Sequence, residues 1–307
     1  MPFEILPEVA RALAAGRPVV ALESTLICHG MPKPGNLELA CAIEDRVRAA
    51  GAAPATIAVM GGRVRVGLEP ADLRRLAEAG DVAKCSTRDL PLALAGGGLG
   101  ATTVAATAFV AARVGIRVMA TGGLGGVHRG GESSLDVSAD LDQLARSPVA
   151  VVCSGAKAIL DLPRTLERLE TLGVAVVGYG CDQFPAFFTG ESGLPVPRID
   201  GVDALARVVA AHRRLGLDAG LVVAQPPPAD PALSAREVAE LVAEAVRAAD
   251  RAGVRGPAQT PFLLRHLARL SGGRTVRVNQ ALVLANAELA GRLAAALAAA
   301  PTATAAT

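Results

Sequence analysis

Short apolar runs alternate with longer amphipathic stretches along almost the whole chain. The runs cover residues 18–22, 56–60, 63–66, 82–84, 117–121, 149–153, 174–178 and 220–224. Each is mostly apolar or β-branched and is bounded by Gly, Pro or charge, the pattern of a buried strand. Between them, residues 37–50, 71–79, 102–114, 157–172 and 202–215 space their apolar side chains as helices do. This alternation predicts a three-layer α/β/α fold around a mixed, mostly parallel central sheet. The turn Met60-Gly-Gly-Arg63 reads as a tight hairpin and supplies antiparallel pairing. The Pro-rich stretch from Ala224 to Pro231 breaks regular structure, and helices at 234–252, 261–270 and from Asn279 onward complete the same unit. The expectation is one domain over residues 1–300 and a disordered tail at 301–307.

Composition narrows the class. Hydrophobic residues make up 51% of 307, enough for a large core, so global disorder is excluded. Aromatics are only 2%, so the core must be aliphatic and base-stacking platforms for nucleic acid are not expected. A net charge of +2 from interspersed residues advertises no polyanion surface. The uncharged stretch 90–112 is interrupted by glycines and is too weakly apolar to predict a membrane-spanning helix. Five scattered cysteines, none in a C-x-x-C pair, fit neither a zinc site nor a disulfide framework and suit a reducing compartment. The N-terminus carries acids where a secretory signal needs basic and apolar residues, so a cytoplasmic location is expected.

Chemistry concentrates where strands end. Lys157 follows the apolar run 149–152, and a lysine there sits where open α/β sheets place their ligands. Its compact amine can serve as a Schiff-base nucleophile once desolvated, although a lone lysine at this point would read as a salt-bridged surface group. Glu23, in Ala21-Leu-Glu-Ser-Thr-Leu-Ile-Cys-His-Gly-Met-Pro, follows the first predicted strand and is a candidate general acid. Lys84 with Ser86, Thr87 and Arg88 suits a phosphate or sugar, Arg88-Asp89 reading also as a surface ion pair. The run Gly96-Gly-Gly-Leu-Gly leads toward Thr102 and Thr103 at a helix start, an anion cradle without a nucleotide-loop spacing. A second glycine run, Gly122-Gly-Leu-Gly-Gly-Val-His128, implies close backbone approach to a ligand. Asp136 and Asp140, with Ser138 between, suit an oxygen-ligated divalent cation aided by His128, or the cap of a helix.

Together these segments resemble the pseudouridine-5'-phosphate glycosidases, the indigoidine synthase A-like family. The resemblance rests on Ala21-Leu-Glu-Ser-Thr with His29-Gly-Met-Pro, Lys84-x-Ser-x-Arg-Asp-Leu, Gly100-Ala-Thr-Thr-Val-Ala-Ala-Thr, and Thr121-Gly-Gly-Leu-Gly-Gly-Val-His-Arg-Gly. It continues through Asp136-Val-Ser-Ala-Asp-Leu, Gly155-x-Lys-x-Ile-Leu-Asp, Phe184-Pro-Ala-Phe-Phe, Thr260-Pro-Phe-Leu-Leu and Asn279-x-Ala-Leu-Val-x-x-Asn286-Ala. It implies reversible cleavage of the C–C glycosidic bond of pseudouridine 5'-phosphate to uracil and ribose 5-phosphate, with a divalent metal such as Mn²⁺, in a homotrimer. By matching positions, Lys157 would be the nucleophile, Glu23 the proton donor and Asp136 the metal ligand. Lys84, Val104 (through its backbone), Ser138, Ala139 and Asp140 would contact substrate, joined by Thr103, His128 and Asn279. Lys33, Gly35 and Gly190 depart from the family pattern.

Two other readings stand beside this one. A non-catalytic phosphosugar- or nucleotide-binding regulator would bind without turnover, and leaves Lys157 without a reason for its place. A metal-independent class I aldolase would use the lysine alone, and leaves the Glu23 loop and Asp136 unexplained.

Overall fold

The computed structural model describes residues 3–256 and 259–299. Eleven strands form one sheet: β1 (Phe3–Ile5), β2 (Val19–Leu22), β3 (Ala53–Met60), β4 (Arg63–Val66), β5 (Ala83–Cys85), β6 (Leu99–Thr102), β7 (Val118–Ala120), β8 (Ala150–Cys153), β9 (Ala175–Tyr179), β10 (Arg198–Ile199) and β11 (Leu221–Ala224). The main order is β1-β4-β3-β2-β7-β8-β11-β9-β10, with β6 branching from β3 and β5 pairing with β6. All pairings are parallel except β3 with β4 and β3 with β6. The sheet is therefore mixed and mostly parallel, with helices on both sides.

The helices are α1 (Pro7–Ala14), α2 (Gly35–Ala49), α3 (Pro70–Glu78), α4 (Leu90–Gly96), α5 (Val104–Val114), α6 (Gly131–Ser134), α7 (Ala139–Leu144), α8 (Leu162–Thr171), α9 (Val202–Arg214), α10 (Ala235–Arg251), α11 (Gln259–Leu270) and α12 (Arg274–Ala299). The central strands β2, β8 and β11 are buried along their whole length, so they read as continuous apolar runs without alternation. By length and composition α12 could cross a membrane, but half of its most apolar window is buried inside the protein. It packs on α2, α9 and the strands β2, β7 and β8, as a core helix does.

Residues 90–112, expected to be interrupted by their glycines, divide into α4, β6 and α5, of which the sequence predicts only the α5 helix. Other expectations change. The first glycine run ends α4 at Gly96, passes through a left-handed cap at Gly97 and enters β6 at Leu99 and Gly100. A side chain at Gly100 would come within 2.6 Å of the Cys85 sulfur and 3.1 Å of Val59, so the glycine admits neighbouring strands. The helix expected from residue 157 starts only at Leu162, where the Asp161 carboxylate accepts the Arg164 N–H at 3.1 Å and Pro163 fits the first turn. The helix expected from Asn279 begins five residues earlier, at Arg274. Strands β1 and β10 are short edge segments without their own apolar run. The tail at 301–307 lies outside the described residues.

Asn286, fully buried on α12, ties this helix to the sheet. Its amide N–H group donates to the carbonyl of Thr121 at 2.9 Å, to that of Gly122 at 3.4 Å and to the Ser154 hydroxyl at 3.2 Å. Replacing it with leucine strands buried carbonyls, so urea unfolding of Asn286→Leu is expected to show a loss of about 1–3 kcal/mol. By contrast, Arg46→Ala on α2 removes an exposed ion pair to Glu288 of α12 and should cost less than about 1 kcal/mol.

Candidate active site

The parallel ladder between β7 and β8 does not stop at the strand ends. Thr121 N–H donates to the Val152 carbonyl at 3.0 Å, Ser154 N–H to Gly122 at 2.9 Å, Leu124 N–H to Gly155 at 2.9 Å, and Lys157 N–H to Leu124 at 3.1 Å. Lys157 thus leaves the sheet on a hydrogen-bonded loop, half-buried, at the C-terminal edge of the strands. Beyond Leu124 the second glycine run pairs with the segment around Asp136. His128 N–H reaches the Asp136 carbonyl at 3.0 Å, and Ser138 N–H reaches Gly126 at 3.0 Å.

The glycines of this run make room for protein side chains. A Cβ on Gly123 would lie 2.6 Å from the Phe187 ring, one on Gly125 2.2 Å from the Ser138 hydroxyl, and one on Gly126 2.4 Å from that of Thr165. The expected close approach of backbone to ligand is here first an approach of backbone to side chain.

Glu23 follows β2 and is buried, 9% exposed. Its carboxylate accepts hydrogen bonds from the hydroxyls of Thr25 and Thr121. Ser24, its neighbour, instead serves the scaffold by donating to the Ile57 carbonyl at 2.7 Å and accepting from Thr102 N–H at 2.9 Å. Residues Leu26–Gly30 then form a π-helical turn, a geometry frequent at functional sites. Asn36 braces the turn by donating to Ile27 and Ala77 carbonyls at 3.0 and 2.9 Å, which makes it structural. His29 lines the cavity, and its Nε2 is buried without a hydrogen-bond partner. Burial and the charges of Lys84 and Lys33 push its pKa down, keeping the imidazole neutral.

One cavity of about 560 Å³ gathers the expected residues. Glu23, Lys84, Thr103, Val104, His128, Asp136, Ser138, Ala139, Asp140, Lys157 and Asn279 all line it. Lys84 keeps much of its surface in solvent, yet the walls desolvate its ammonium. Burial first and the Lys157 charge second lower its pKa, against the pull of Asp140, Glu23 and Asp89. Burial also lowers the His128 pKa. The Asp136 carboxylate, 4.0 Å from Nδ1, opposes that shift, while Lys157 and Lys84 reinforce it.

Asp136 and Asp140 do not act as a pair. Both Asp140 oxygens are occupied, by Ala105 N–H at 2.9 Å and Gly125 N–H at 2.8 Å, so this buried carboxylate fastens the start of α5 to the second glycine run. Ser138 caps α7 by accepting the Asp140 N–H at 3.3 Å, and Thr103 caps α5 by accepting the Ala106 N–H at 3.4 Å. Asp136 remains half-exposed beside His128. Among the described residues no group of three or more His, Cys, Asp or Glu side chains surrounds a common point, so the donors fit a cation that keeps water or takes ligand oxygens, not a closed protein cage. Asn279 lies at the cavity wall with its carbonyl oxygen buried and unpartnered.

The departures from the family pattern fall outside this arrangement. Lys33 donates to the carbonyls of Glu78 and Ala79 at 3.1 and 2.6 Å, closing the end of α3. Gly35 opens α2, and Gly190 packs near Pro226. Arg88 and Asp89 form the expected exposed pair at 3.4 Å. Thr25 is a polar donor of the Glu23 loop, as the sequence there suggests. Motif reading left Thr121 and Phe187 without a role, since both depend on contacts across the fold.

The model of the indigoidine synthase A-like proteins matches residues 8–296. A pseudouridine-5'-phosphate glycosidase of Rhodospirillum centenum is 60% identical over 297 residues, covering 96% of this chain and 92% of that protein. One from Methylobacterium nodulans is 57% identical, covering 97% of this chain and 89% of that protein. Among solved structures, the prealnumycin C-glycosynthase AlnA in complex with ribulose 5-phosphate has a TM-score of 0.90 and 44% identity, covering 97% of each chain. An indigoidine synthase A-like protein from Thermotoga maritima has a TM-score of 0.85 and 35% identity, covering 96% of each. With a match over nearly its whole length, the chain belongs to the indigoidine synthase A-like family.

Proposed function

We propose that this enzyme cleaves the C–C glycosidic bond of pseudouridine 5'-phosphate, reversibly, to give uracil and ribose 5-phosphate through an imine on Lys157. The observation that carries the reading is the convergence of Glu23, Lys84, His128, Asp136 and Lys157 on one cavity at the strand ends. The names of the 50–60% identical relatives and the pentose phosphate bound by AlnA support it.

A C–C glycoside offers no leaving-group oxygen or nitrogen to protonate, so the sugar must be opened first. In this reading the lone pair of neutral Lys157 Nζ forms a bond to C1' as the C1'–O4' bond breaks and O4' takes the proton of Glu23. Loss of a proton from the adduct nitrogen restores its lone pair. C5 takes a proton as the N1 lone pair is donated through C6. The lone pair of the adduct nitrogen then forms the C=N bond while the C1'–C5 bond breaks, and the electrons of that bond restore the C5–C6 double bond and the N1 lone pair of uracil. Water then hydrolyses the imine, releasing ribose 5-phosphate and the free amine. Thr25 and Thr121 orient the Glu23 carboxyl. Lys84 supplies a point charge for the phosphate, with the start of α5 at Thr103 and Val104 and the Ser138-Ala139-Asp140 turn completing the contacts. Asn279 would address the substrate from α12.

Asp136, with His128 beside it, would hold a divalent cation, Mn²⁺ in our reading. Such an ion supplies positive charge that anchors and polarises substrate oxygens. We carry a homotrimer and a cytoplasmic location in the same proposal, the latter supported by five unpaired cysteines. An aldolase-type reading would need no acid placed as Glu23 is, and no cation at Asp136.

Four outcomes test the proposal. Incubation with pseudouridine 5'-phosphate and Mn²⁺ should release uracil, and borohydride with mass spectrometry should find a ribose-phosphate adduct on Lys157. Lys157→Ala should lose both, and substantial remaining turnover would rule out the lysine as nucleophile. Glu23→Ala should stall uracil release yet still trap ribose 5-phosphate, whose open-chain aldehyde forms in solution without an acid. For Lys84, the lowered pKa means its charge is lost below the ordinary 10.5 as pH rises. KM for the phosphorylated substrate should therefore climb on the alkaline side below that value, and Lys84→Met should abolish this limb; an identical pH profile in the variant would exclude Lys84 from phosphate binding.

A further inference from the structure

Phe187 combines three features that ordinary core packing does not require. Its backbone φ is +63°, and among the described residues only Leu135 is another non-glycine with positive φ. A bulky residue rarely adopts this conformation, and it persists only where its surroundings over-determine it. Phe187 is 2% exposed, yet it forms part of the wall of the catalytic cavity. Its ring fills the space that a side chain on Gly123 would take, whose Cβ would lie 2.6 and 2.8 Å from two ring carbons, and it borders Gly122, where a Cβ would lie 3.5 Å from the ring.

The backbone around the ring grips the other loop. Phe187 N–H donates to the Ser154 carbonyl at 3.1 Å, and Ala186 bridges Gly155. Gly155 has φ +71°, and a Cβ there would lie 1.9 Å from the Pro185 carbonyl oxygen, so no other residue allows this approach. The segment is itself pinned, Ala186 N–H reaching Thr189 at 2.9 Å and Leu233 N–H reaching Phe188 at 2.9 Å. Phe188 meets the ring edge-on at a centroid distance of 4.8 Å. The ring is therefore wedged against the glycine pair that follows Thr121, while its own backbone holds the loop that leads to Lys157. Thr121 in turn holds Glu23.

We infer that Phe187 is a positioning residue: its ring sets the spacing between the loop carrying Lys157 and the loop that anchors Glu23. The inference rests on the reading of Lys157 as nucleophile. The strained backbone is what brings the ring onto the glycines while leaving the Phe187 N–H on Ser154. Displacing the ring lets both loops relax, so the amine and the acid meet C1' and O4' out of register. A misplacement of about 1 Å can lower a rate on the order of 100-fold.

The test compares wild type with Phe187→Leu, Gly123→Ala and Phe187→Tyr. Leucine removes the flat ring, alanine at 123 pushes it away from the other side, and tyrosine keeps it. Expected for the first two is a fall in kcat for uracil release of roughly 10–100-fold with KM unchanged. The rate of borohydride trapping of ribose 5-phosphate at Lys157 should fall with kcat, while the final adduct still reaches one per chain, reporting folded enzyme. Phe187→Tyr, which keeps a flat ring, should lose less kcat than Phe187→Leu. A kcat unchanged in the Leu and Ala variants overturns the inference. So does a rise in KM alone with wild-type trapping, which would make the ring a substrate contact, or a kcat loss matched by lost folded protein in a thermal melt. Should Phe187→Leu fail to fold, Gly123→Ala carries the same comparison. Wild type that gives neither uracil nor adduct would instead overturn the reading of Lys157 itself.

Discussion

Everything at the catalytic edge depends on one backbone constraint: the β7–β8 ladder runs on past its strands. In most open α/β sheets the strand ends release their loops, and the ligand site is built from segments free to vary. Here four successive inter-loop hydrogen bonds, from Thr121 to Lys157, keep two loops in parallel register. The segment around Pro185 and Phe187 packs against this pairing, which is why Gly123 and Gly155 are glycines: side chains there would meet the Phe187 ring and the Pro185 carbonyl oxygen. The same register delivers Thr121 to Glu23 and fixes the chain direction at Lys157. In the proposed reaction the two groups that act on neighbouring atoms of one sugar would thereby be placed by main-chain geometry together with the packing of Phe187.

The side chains of Asn286, Asp140, Ser24 and Thr102 are spent on this frame. Asn286 satisfies carbonyls on the Gly122 loop and touches Ser154 on the other. Asp140 satisfies backbone N–H groups of α5 and Gly125. Ser24 and Thr102 both donate to the Ile57 carbonyl, joining β2, β3 and β6 beneath Glu23. Each such group would be costly if left unpaired, so each also specifies which loops lie side by side.

The periodic pattern made the central sheet legible because β2, β8 and β11 are buried on both faces and write themselves as unbroken apolar runs. The same logic hid β1, β6 and β10. Edge strands bury one face at most, and β6 spells Leu-Gly-Ala-Thr because Cys85 and Val59 crowd its glycine. At the site, the positions of Glu23, Lys84, Asp136 and Lys157 could be read from strand-end placement and motif resemblance. What could not be read was their division of labour. Asp136 and Asp140 are the same residue type four apart, and only the fold reveals that Asp140 spends both oxygens on backbone N–H groups. Lys33 likewise looked like a change within the first loop, whereas its ammonium closes α3. Phe187 lay in a quoted motif without a role, since no local pattern announces a positive φ in phenylalanine.

The engagement of Asp140 also shapes the electrostatics of the cavity. A carboxylate with two backbone donors, already committed to structure, still lends its charge to Lys84 from a distance. Lys84 and Lys157 repel each other across the cavity, and the Lys84 pKa falls as a result, after burial has already lowered it. Two lysines in one pocket are therefore not interchangeable cations. A dianionic phosphate entering the cavity would be drawn by whichever ammonium is charged and would favour keeping that one protonated, since opposite charge favours the charged form. The proposed reaction gives the phosphate to Lys84 and the attack on C1' to Lys157. In that reading the pairing of a phosphate anchor with a nearby nucleophile would make binding and activation one electrostatic problem, with the loop frame fixing its distances.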